Sequence, residues 1–329
     1  MEEITGSITI GKLKKIPELQ DCSEYLLILD TMSLEELDAM TVSEISGLQT
    51  ENILEGIRRL CQLKQEGKKV VYDYWSDQEK EEIPGKKRTK LFFMPGEEGK
   101  PFVLICAGGA YMGVCSLGEG FSTASRLNQM GYNAFVLSYR VTESPLFPKP
   151  LEDAAAALRF IFAHKGDFQV STDNYAVCGF SAGGHLAAEW GTEQYGYKAY
   201  GLPRPGALFL MYPAVSLYTF LPTDHIGRMY ITTLIGENWT PELMEKASAE
   251  KNVTSAYPPV YMLQCKDDPT VPVASSELLA EALEKNGIQY LYRLIEKGGH
   301  GIGLADFTEA AGWLDEAVKF WQMREKNQI

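Results

Sequence analysis

The sequence predicts an α/β fold in which a mostly parallel sheet of eight strands is flanked by helices. Continuous apolar runs alternate with helical segments through most of the chain, as expected for strands that are covered on both faces. A G-x-S-x-G motif at Gly179–Gly183 stands where one apolar run gives way to a helix. With 329 residues, of which 45% are hydrophobic and 23% charged, the chain is long enough to bury one large core.

The first 67 residues differ from the rest because they carry helix signals and few strand signals. Ser33–Glu36 has the form of a capping box, and an apolar stripe at helical spacing spans Ile53–Cys61 before Gly67 ends it. We therefore predict an N-terminal helical extension over residues 1–67 and a main domain over residues 68–329. The extension either packs on the core or shapes the entrance to a site, and an amphipathic stripe favours packing.

Strand signals begin at Lys69. Two alternating runs predict a hairpin-like pair of edge strands, separated by a charged loop through Pro84-Gly85. Six further apolar runs lack alternation and predict strands that are buried on both faces. The predicted strands cover residues 70–74, 89–93, 102–106, 134–138, 175–178, 207–211, 260–264 and 290–294, and the predicted helices lie near residues 120–130, 150–164, 182–195, 274–286 and 305–325. Such an order gives parallel strands with right-handed crossovers, and sites form at the carboxyl ends of the strands.

Residues 215–258, which are rich in aromatic residues, Thr and Pro, interrupt this alternation before the strand that begins at Val260. A segment of this length between a strand and the next strand is the natural place for a lid over the site. An irregular crossover is equally allowed.

Ser181 is the candidate nucleophile because it is the serine of the G-x-S-x-G motif. A serine at a sharp strand-to-helix turn has its hydroxyl clear of the sheet, and small flanking residues prevent clashes across the turn. The motif alone equally fits a small-residue turn that contains a serine. Partner residues elsewhere in the chain favour the nucleophile.

A serine hydroxyl needs a base, and the base needs an acid that orients it. His300 follows the last predicted strand and has glycines on both sides, which let the loop carry the imidazole over the sheet edge. The acid is expected after the preceding strand, where Asp267 and Asp268 are adjacent. We favour Asp268 because it begins a rigid turn with Pro269, and Asp267 is the alternative, since only one of two adjacent side chains can reach the imidazole.

The tetrahedral intermediate of such a reaction needs N–H donors directed at its oxygen. One donor is expected from Ala182, directly after the nucleophile. The others are expected from the small-residue loop after the first parallel strand, where we assign Gly109 and Ala110 and keep Gly108 as a further candidate. Two aromatic residues, Tyr111 and Trp239, are candidates for lining the substrate pocket, and core packing is the alternative for each.

From about residue 68 to residue 325 the sequence resembles the α/β-hydrolase superfamily, and within it the esterase/lipase-like branch that includes acetyl xylan and feruloyl esterases. The resemblance is carried by Cys106–Tyr111, Leu137–Val141, Gly179–His185, Asp268–Pro272 and Gly299–Gly301. It implies a carboxylic ester hydrolase that forms an acyl-enzyme on Ser181, without metal or organic cofactor. It also implies a short acyl group, such as acetate removed from a carbohydrate. The oxyanion loop departs from related esterases at Ala107 and Ala110, where histidine and glycine are usual.

Two other functions are consistent with the sequence. A peptidase or amidase would use the same acyl-enzyme chemistry on the same scaffold. A catalytically silent binding protein would keep the fold, but such proteins usually lack a member of the triad, and all three residue types are present here. The Tyr139-Arg140 dipeptide is expected to be structural, with Arg140 paired to Asp153.

Composition limits the classes of binding partner and the cellular compartment that are expected. The formal charge of -13 and the lack of a Lys/Arg cluster argue against a nucleic-acid partner and favour a small neutral or cationic substrate. The acidic N-terminus lacks the apolar segment of a signal peptide, and no run is long and apolar enough to span a bilayer. The six cysteines form no C-x-x-C pair, which predicts a cytoplasmic protein without disulfides or structural zinc.

Overall fold

A large twisted sheet organises the structure, a computed structural model that describes residues 4–29, 32–46, 49–221 and 225–323. The strands are β1 (Ile28–Leu29), β2 (Val71–Tyr72), β3 (Lys90–Met94), β4 (Pro101–Cys106), β5 (Gly113–Val114), β6 (Asn133–Ser138), β7 (Ser171–Phe180), β8 (Ala207–Met211), β9 (Val260–Cys265) and β10 (Tyr290–Ile295). The order across the large sheet is β2-β3-β6-β4-β7-β8-β9-β10. Strands β2 and β3 pair antiparallel, β3 pairs antiparallel with β6, and all other neighbours in this sheet are parallel. The predicted mostly parallel sheet of eight strands is therefore confirmed.

Helices connect the strands and cover both faces of the sheet. They are α1 (Ile10–Leu13), α2 (Leu34–Ala39), α3 (Val42–Ser46), α4 (Thr50–Gln65), α5 (Asp77–Glu82), α6 (Phe121–Gln129), α7 (Lys149–Ala163), α8 (Lys165–Phe168), α9 (Ser181–Trp190), α10 (His225–Ile235), α11 (Pro241–Lys246), α12 (Val273–Lys285) and α13 (Trp313–Gln322). None of the helices in the described ranges combines the length and the apolar composition that crossing a membrane requires.

The two faces of the sheet form two cores because successive side chains of a strand point to opposite sides. Along β4, Phe102 and Leu104 belong to the core that α7, α9 and α12 cover. Val103 and Ile105 belong to the core that α4, α6 and α13 cover. The apolar stripe of α4 is buried in this second core, and each such Leu or Ile side chain contributes on the order of 2 kcal/mol when it is removed from water. The N-terminal residues therefore cover one face of the sheet.

Parallel register brings the ends of the strands together at one edge. Cys106 at the end of β4 pairs with Leu137 of β6 and with Gly179 of β7. At the other side, Cys265 at the end of β9 pairs with Ile295 at the end of β10. The loops that follow these strands therefore meet above the carboxyl edge of the sheet, as expected for a site in this type of fold.

Several local features differ from the sequence-based predictions. The loop between the two edge strands contains a short helix, α5, because Ser76 and Glu79 form a capping box there. The last helix begins at Trp313 and not near residue 305, since the chain makes consecutive turns up to Gly312, which has a φ of 79°. A small antiparallel pair of β1 with β5, which joins the N-terminal residues to the segment after β4, was not predicted.

Other local predictions are confirmed. Ser33 and Glu36 form the expected capping box at the start of α2. Arg140 pairs with the fully buried Asp153, with 3.0 Å between Nε and Oδ1. The backbone N–H of Arg140 also donates to Asp153, at 2.8 Å, so the pair fixes the chain after β6 to the start of α7.

Candidate active site

The G-x-S-x-G motif forms the turn from β7 into α9, with Ser181 as the first residue of the helix. Ser181 has a φ of 50°, a left-handed conformation that a non-glycine residue adopts only when its surroundings enforce it. A Cβ atom at Gly179 would collide with the carbonyl group of Gly183, and one at Gly183 would collide with the carbonyl group of Cys106. Both glycines are therefore needed for the tight turn that presents the Ser181 hydroxyl above the sheet.

His300 lies within hydrogen-bond distance of both the serine and an aspartate. Its Nε2 atom is 2.9 Å from Ser181 Oγ, and its Nδ1 atom is 2.8 Å from Asp268 Oδ2. The carboxylate accepts a hydrogen bond from Nδ1–H, which leaves Nε2 unprotonated and able to accept a hydrogen bond from the Ser181 hydroxyl. The flanking Gly299 and Gly301 have φ values of 71° and 70°, so the loop needs glycine on both sides of the imidazole.

The two adjacent aspartates occupy different positions. The Asp268 side chain is fully buried, and its Oδ1 atom accepts the N–H groups of Thr270 and Val271 at 2.8 and 2.9 Å. These bonds direct the other oxygen, Oδ2, at His300. Asp267 is turned away and accepts the N–H groups of Gly299 and Gly298, which lower the pKa of its carboxyl group. The structure thus brings Asp268 to the imidazole and uses Asp267 to hold the loop that carries the imidazole.

The loop after β4 turns sharply against the nucleophile. Gly109, Ala110 and Tyr111 have φ values of 135°, 53° and 59°, and a Cβ atom at Gly108 would lie 2.9 Å from Ser181 Cβ. The Gly108 N–H donates to Glu119 Oε2 at 2.6 Å, which removes Gly108 as an oxyanion donor. Within the described residues, the N–H groups of Gly109 and Ala110 have no hydrogen-bond partner.

Ala182 supplies a third N–H group on the other side of Ser181. It lies in the first turn of α9, where N–H groups have no carbonyl partner within the helix. Of the three N–H groups predicted as donors, that of Ala182 thus belongs to the residue after Ser181, and those of Gly109 and Ala110 stand on the loop whose Gly108 lies against Ser181.

Tyr111 does not line an open pocket. Its side chain is only 1% exposed, because the ring packs beneath the oxyanion loop against Tyr230, and its hydroxyl donates to His185 Nδ1 at 2.7 Å. His185 Nε2 in turn donates to the carbonyl of Ala247 at 2.9 Å. Burial lowers the pKa of His185 to about 4, so this imidazole is neutral at physiological pH. The prediction that Tyr111 contacts substrate is corrected to a position in the core.

Trp239 is 38% exposed and lies on the segment 215–258. It lines a cavity of about 440 Å³ whose other walls belong to the same segment. These walls are formed by Leu221, Arg228, Ile231, Thr232 and Glu237. None of the residues that line this cavity belongs to the hydrogen-bonded group of Ser181, His300 and Asp268.

Sequence reasoning missed three residues that support the site. Glu119 and Tyr212 form a buried hydrogen-bonded pair, with 2.7 Å between Tyr212 Oη and Glu119 Oε1. Gln49 donates its side-chain N–H to the carbonyl of Gly301, next to His300. Tyr212 directly follows strand β8, and this strand-end position was the available signal; the other two carry no motif.

A profile of the BD-FAE family matches residues 91–283, which is more than half of the chain and includes the oxyanion loop, the Ser181 turn and Asp268. The chain belongs to the BD-FAE family. Among curated relatives, endo-1,4-beta-xylanase B of Butyrivibrio fibrisolvens is 33% identical over 220 residues, which is 64% of this chain and 34% of that protein. Acetylxylan esterase of Xylanibacter ruminicola is 25% identical over 242 residues, or 72% of this chain and 48% of that protein. The BD-FAE protein described here thus spans less than half the length of these two relatives.

Solved structures show the same fold. An acetyl ester-xyloside bifunctional hydrolase of Caldicellulosiruptor lactoaceticus superposes with a TM-score of 0.67 and 29% identity, and the match covers 78% of this chain and 96% of that one. An alpha/beta hydrolase enzyme from a deep-sea metagenome library gives a TM-score of 0.55 with 26% identity, and covers 71% and 92%. This BD-FAE protein therefore has the α/β-hydrolase fold predicted from its motifs.

Proposed function

We propose that the protein is a serine carboxylic ester hydrolase that acts through an acyl-enzyme on Ser181. The observation that carries the proposal is the continuous hydrogen-bonded chain from Ser181 Oγ through His300 to Asp268, with distances of 2.9 and 2.8 Å. A serine, a base and a buried acid in this order are what activation of a hydroxyl requires. The family membership and the named esterase relatives support the same reaction class.

In the first half of the reaction, Ser181 Oγ attacks the ester carbonyl carbon while His300 Nε2 takes the hydroxyl proton. The carbonyl oxygen becomes negative and is stabilised by the N–H groups of Gly109, Ala110 and Ala182. The C–O bond to the alcohol then breaks, and His300 returns the proton to the departing oxygen. Asp268 stabilises the imidazolium whenever it forms, since its carboxylate accepts a hydrogen bond from the Nδ1–H group.

In the second half, a water molecule gives a proton to His300 Nε2 and attacks the acyl-serine. The same three N–H groups hold the second tetrahedral oxyanion. When this intermediate collapses, the bond between the acyl carbon and Ser181 Oγ breaks, His300 Nε2 returns the proton to Oγ, and the carboxylic acid is released. His300 therefore acts as base and as acid once in each half.

The proposed substrates are short-chain acyl esters, including acetyl groups on carbohydrates. Two relatives support this class, since one is named an acetylxylan esterase and another an acetyl ester-xyloside hydrolase. Trp239 fits a carbohydrate as well, because an exposed indole beside the charged Arg228 and Glu237 offers an apolar face and hydrogen-bonding groups to a sugar ring. The segment 215–258 would then act as a lid that contributes the binding surface for the alcohol part.

We also propose that residues 1–67 form an extension that completes the catalytic domain of residues 68–329. Two contacts support this completing role. The antiparallel pairing of β1 with β5 joins the extension to the segment after β4, and the bond from Gln49 to Gly301 joins it to the His300 loop. A cytoplasmic location is proposed from the cysteines, which are free thiols and mostly buried. Cell fractionation tests the location.

Hydrolysis of p-nitrophenyl acetate, butyrate and octanoate by the wild type, Ser181→Ala and His300→Ala tests the reaction. We expect turnover that falls with acyl length and a loss of at least about 10⁴-fold in both variants, since neither can form the acyl-enzyme efficiently. Activity that survives in Ser181→Ala, with unchanged folding by circular dichroism, would contradict the proposal. Aminoacyl anilides measured in parallel separate the esterase from a peptidase or amidase.

Acetylated xylo-oligosaccharides test the carbohydrate class. Trp239→Ala is expected to raise KM for the oligosaccharide about tenfold and to leave p-nitrophenyl acetate hydrolysis nearly unchanged, because only the larger substrate reaches the indole. Equal effects on both substrates would remove Trp239 from the alcohol-binding surface.

A further inference from the structure

We propose that Glu119 and Tyr212 are positioning residues that hold the oxyanion loop and the His300 loop in their catalytic arrangement. This inference rests on the proposed ester hydrolysis and adds two residues that belong to neither the triad nor the oxyanion donors. Both side chains are buried. Glu119 lies next to Ser181, because a Cβ atom at Gly108 would be 2.9 Å from Ser181 Cβ and 3.1 Å from Glu119 Oε2.

Four contacts connect the two loops through this pair. Glu119 Oε2 accepts the N–H of Gly108 at 2.6 Å, and Glu119 Oε1 accepts the hydroxyl of Tyr212 at 2.7 Å. Tyr212 Oη accepts the N–H of Gly303 at 3.1 Å, and its ring packs edge-on against the His300 imidazole, with 4.9 Å between ring centroids. The chain of contacts thus runs from the residue before the oxyanion donors to the loop of the base.

The local backbone holds Glu119 at this point. It lies in a π-helical turn over Ser116–Gly120, a conformation that is rare and often found at functional sites. The Cys115 N–H donates to the carbonyl of Gly108 at 2.9 Å, so the turn is bonded to the oxyanion loop at both ends of Gly108. Tyr212 has a φ of 38°, a left-handed conformation that a tyrosine adopts only under constraint.

The hydrogen-bond partners of Glu119 indicate that this carboxyl group positions the oxyanion loop and does not pair with a cationic side chain. The carboxyl group is directed at a backbone N–H and a hydroxyl; burial raises its pKa, and the hydrogen bonds from Gly108 and Tyr212 counteract the rise. Bonding the Gly108 N–H fixes the plane of the peptide that precedes Gly109. That fixation lets the next N–H groups face the oxyanion, whose stabilisation is sensitive to small displacements of its donors.

Substitutions at Glu119 separate hydrogen bonding from packing. In Glu119→Ala, the N–H of Gly108 and the hydroxyl of Tyr212 both lose their acceptor. In Glu119→Gln, the amide oxygen still accepts the Gly108 N–H, and the amide nitrogen donates to Tyr212 Oη in place of the lost acceptor. We expect kcat for p-nitrophenyl acetate to fall about 10²-fold in Glu119→Ala with KM changed by less than about threefold, and Glu119→Gln to recover most of the loss.

Tyr212→Phe tests the second half of the connection. It keeps the ring against His300 but removes the bonds to Glu119 and Gly303, and we expect kcat to fall about tenfold. The double variant Glu119→Ala/Tyr212→Phe should lose little more than Glu119→Ala alone, because both changes break one connection. Additive losses would overturn the proposal that the pair acts as a unit.

A second readout distinguishes positioning from general destabilisation. Affinity for a trifluoromethyl ketone, which forms a tetrahedral oxyanion adduct on the serine, should fall in parallel with kcat/KM across the variants. The matched control is Glu189→Gln, which changes an equally buried glutamate on α9 whose carboxyl oxygens have no hydrogen-bond partner in the described part of the chain. We expect its kcat and ketone affinity to match the wild type.

The outcomes are distinguishable from failure of the proposed function. A wild type that hydrolyses no ester would refute that function. An active wild type with wild-type kcat and ketone affinity in Glu119→Ala would overturn this inference alone. Should Glu119→Ala not fold, wild-type values in Tyr212→Phe would overturn it equally.

Discussion

Two histidines lie close to the Ser181 turn, and their surroundings differ in ways that decide which one can act as a base. His300 stands on the loop after β10, bonded to the Asp268 carboxylate on one nitrogen and to the Ser181 hydroxyl on the other. His185 stands one turn into α9, bonded to the Tyr111 hydroxyl and to the Ala247 carbonyl. Each imidazole thus has two partners, and both rings lie near the nucleophile.

The difference is in charge and access. His300 is 18% exposed and has a carboxylate that can stabilise the imidazolium formed when it takes a proton. His185 is fully buried, and its two hydrogen bonds go to the neutral Tyr111 hydroxyl and Ala247 carbonyl. The nearest carboxyl oxygen, Glu189 Oε1, lies 3.8 Å from Nε2, beyond hydrogen-bond distance, and burial raises the pKa of that carboxyl group well above its ordinary value. Burial also lowers the pKa of His185 to about 4. His185 therefore remains neutral and serves as a spacer between the oxyanion loop and the segment 215–258. The two imidazoles are thus distinguished by a carboxylate within hydrogen-bond distance, which His300 has and His185 lacks.

Removing the charge of Asp268 is expected to have the largest effect on kcat, because it takes from His300 the partner that His185 lacks. Asp268→Asn is expected to lower kcat by about 10⁴-fold, because the amide disfavours the required imidazole tautomer and cannot stabilise the imidazolium. Steady-state hydrolysis of p-nitrophenyl acetate measures the loss.

Asp267→Asn is the matched control, since it changes the adjacent carboxylate to the same amide. Its oxygen can still accept the N–H groups of Gly298 and Gly299, so we expect at most about a tenfold loss. The reverse order of effects would make Asp267 the acid of the triad.

A smaller effect concerns the way in which His185 makes the stability of the folded protein depend on pH. Because its folded pKa is about 4 and its ordinary value is 6.5, the unfolded chain binds a proton in this interval that the folded protein does not. Stability from this group is complete above pH 6.5 and is lost as the pH falls towards 4, by up to about 3 kcal/mol.

Urea unfolding of the wild type and of His185→Gln between pH 7 and pH 4 measures this contribution. The variant should be less stable at pH 7, because Gln fits the bonds to Tyr111 and Ala247 imperfectly, and it should show a shallower decline on acidification. Parallel curves for the two proteins would contradict a buried neutral imidazole.

The sequence was sufficient for the parts of the site that follow strand ends. Ser181, Asp268 and His300 each stand in a loop after an apolar strand, and the parallel order of those strands brings such loops to one edge. Glycines that allow a tight turn or a positive φ also marked the Ser181 turn and the His300 loop in the sequence. Local pattern and strand order together were enough to place these residues near one another.

The rest depends on tertiary contacts that leave no local signal. The pairing of β1 with β5 joins strands of two residues each, which are too short for periodicity to reveal. For Tyr111 the sequence left pocket lining and core packing open, and only the contact of its buried ring with the sequence-distant Tyr230 decides for the core. Glu119 is a charged residue whose burial depends on the Gly108 N–H and on Tyr212, which is distant in sequence.

The smallest expected effect concerns the support that the His300 loop receives from the N-terminal residues. The side chain of Gln49, in the N-terminal residues, donates to the carbonyl of Gly301. This bond holds the backbone of the His300 loop one residue after the imidazole. Gln49→Ala removes the donor, and we expect kcat to fall about three- to tenfold with little change in KM, because the imidazole samples more orientations. Gln49→Glu, which keeps the length of the side chain but cannot donate, should show a loss at least as large. Wild-type kcat in both variants, at unchanged melting temperature, would show that Asp267 and the flanking glycines hold the His300 loop without help from the N-terminal residues.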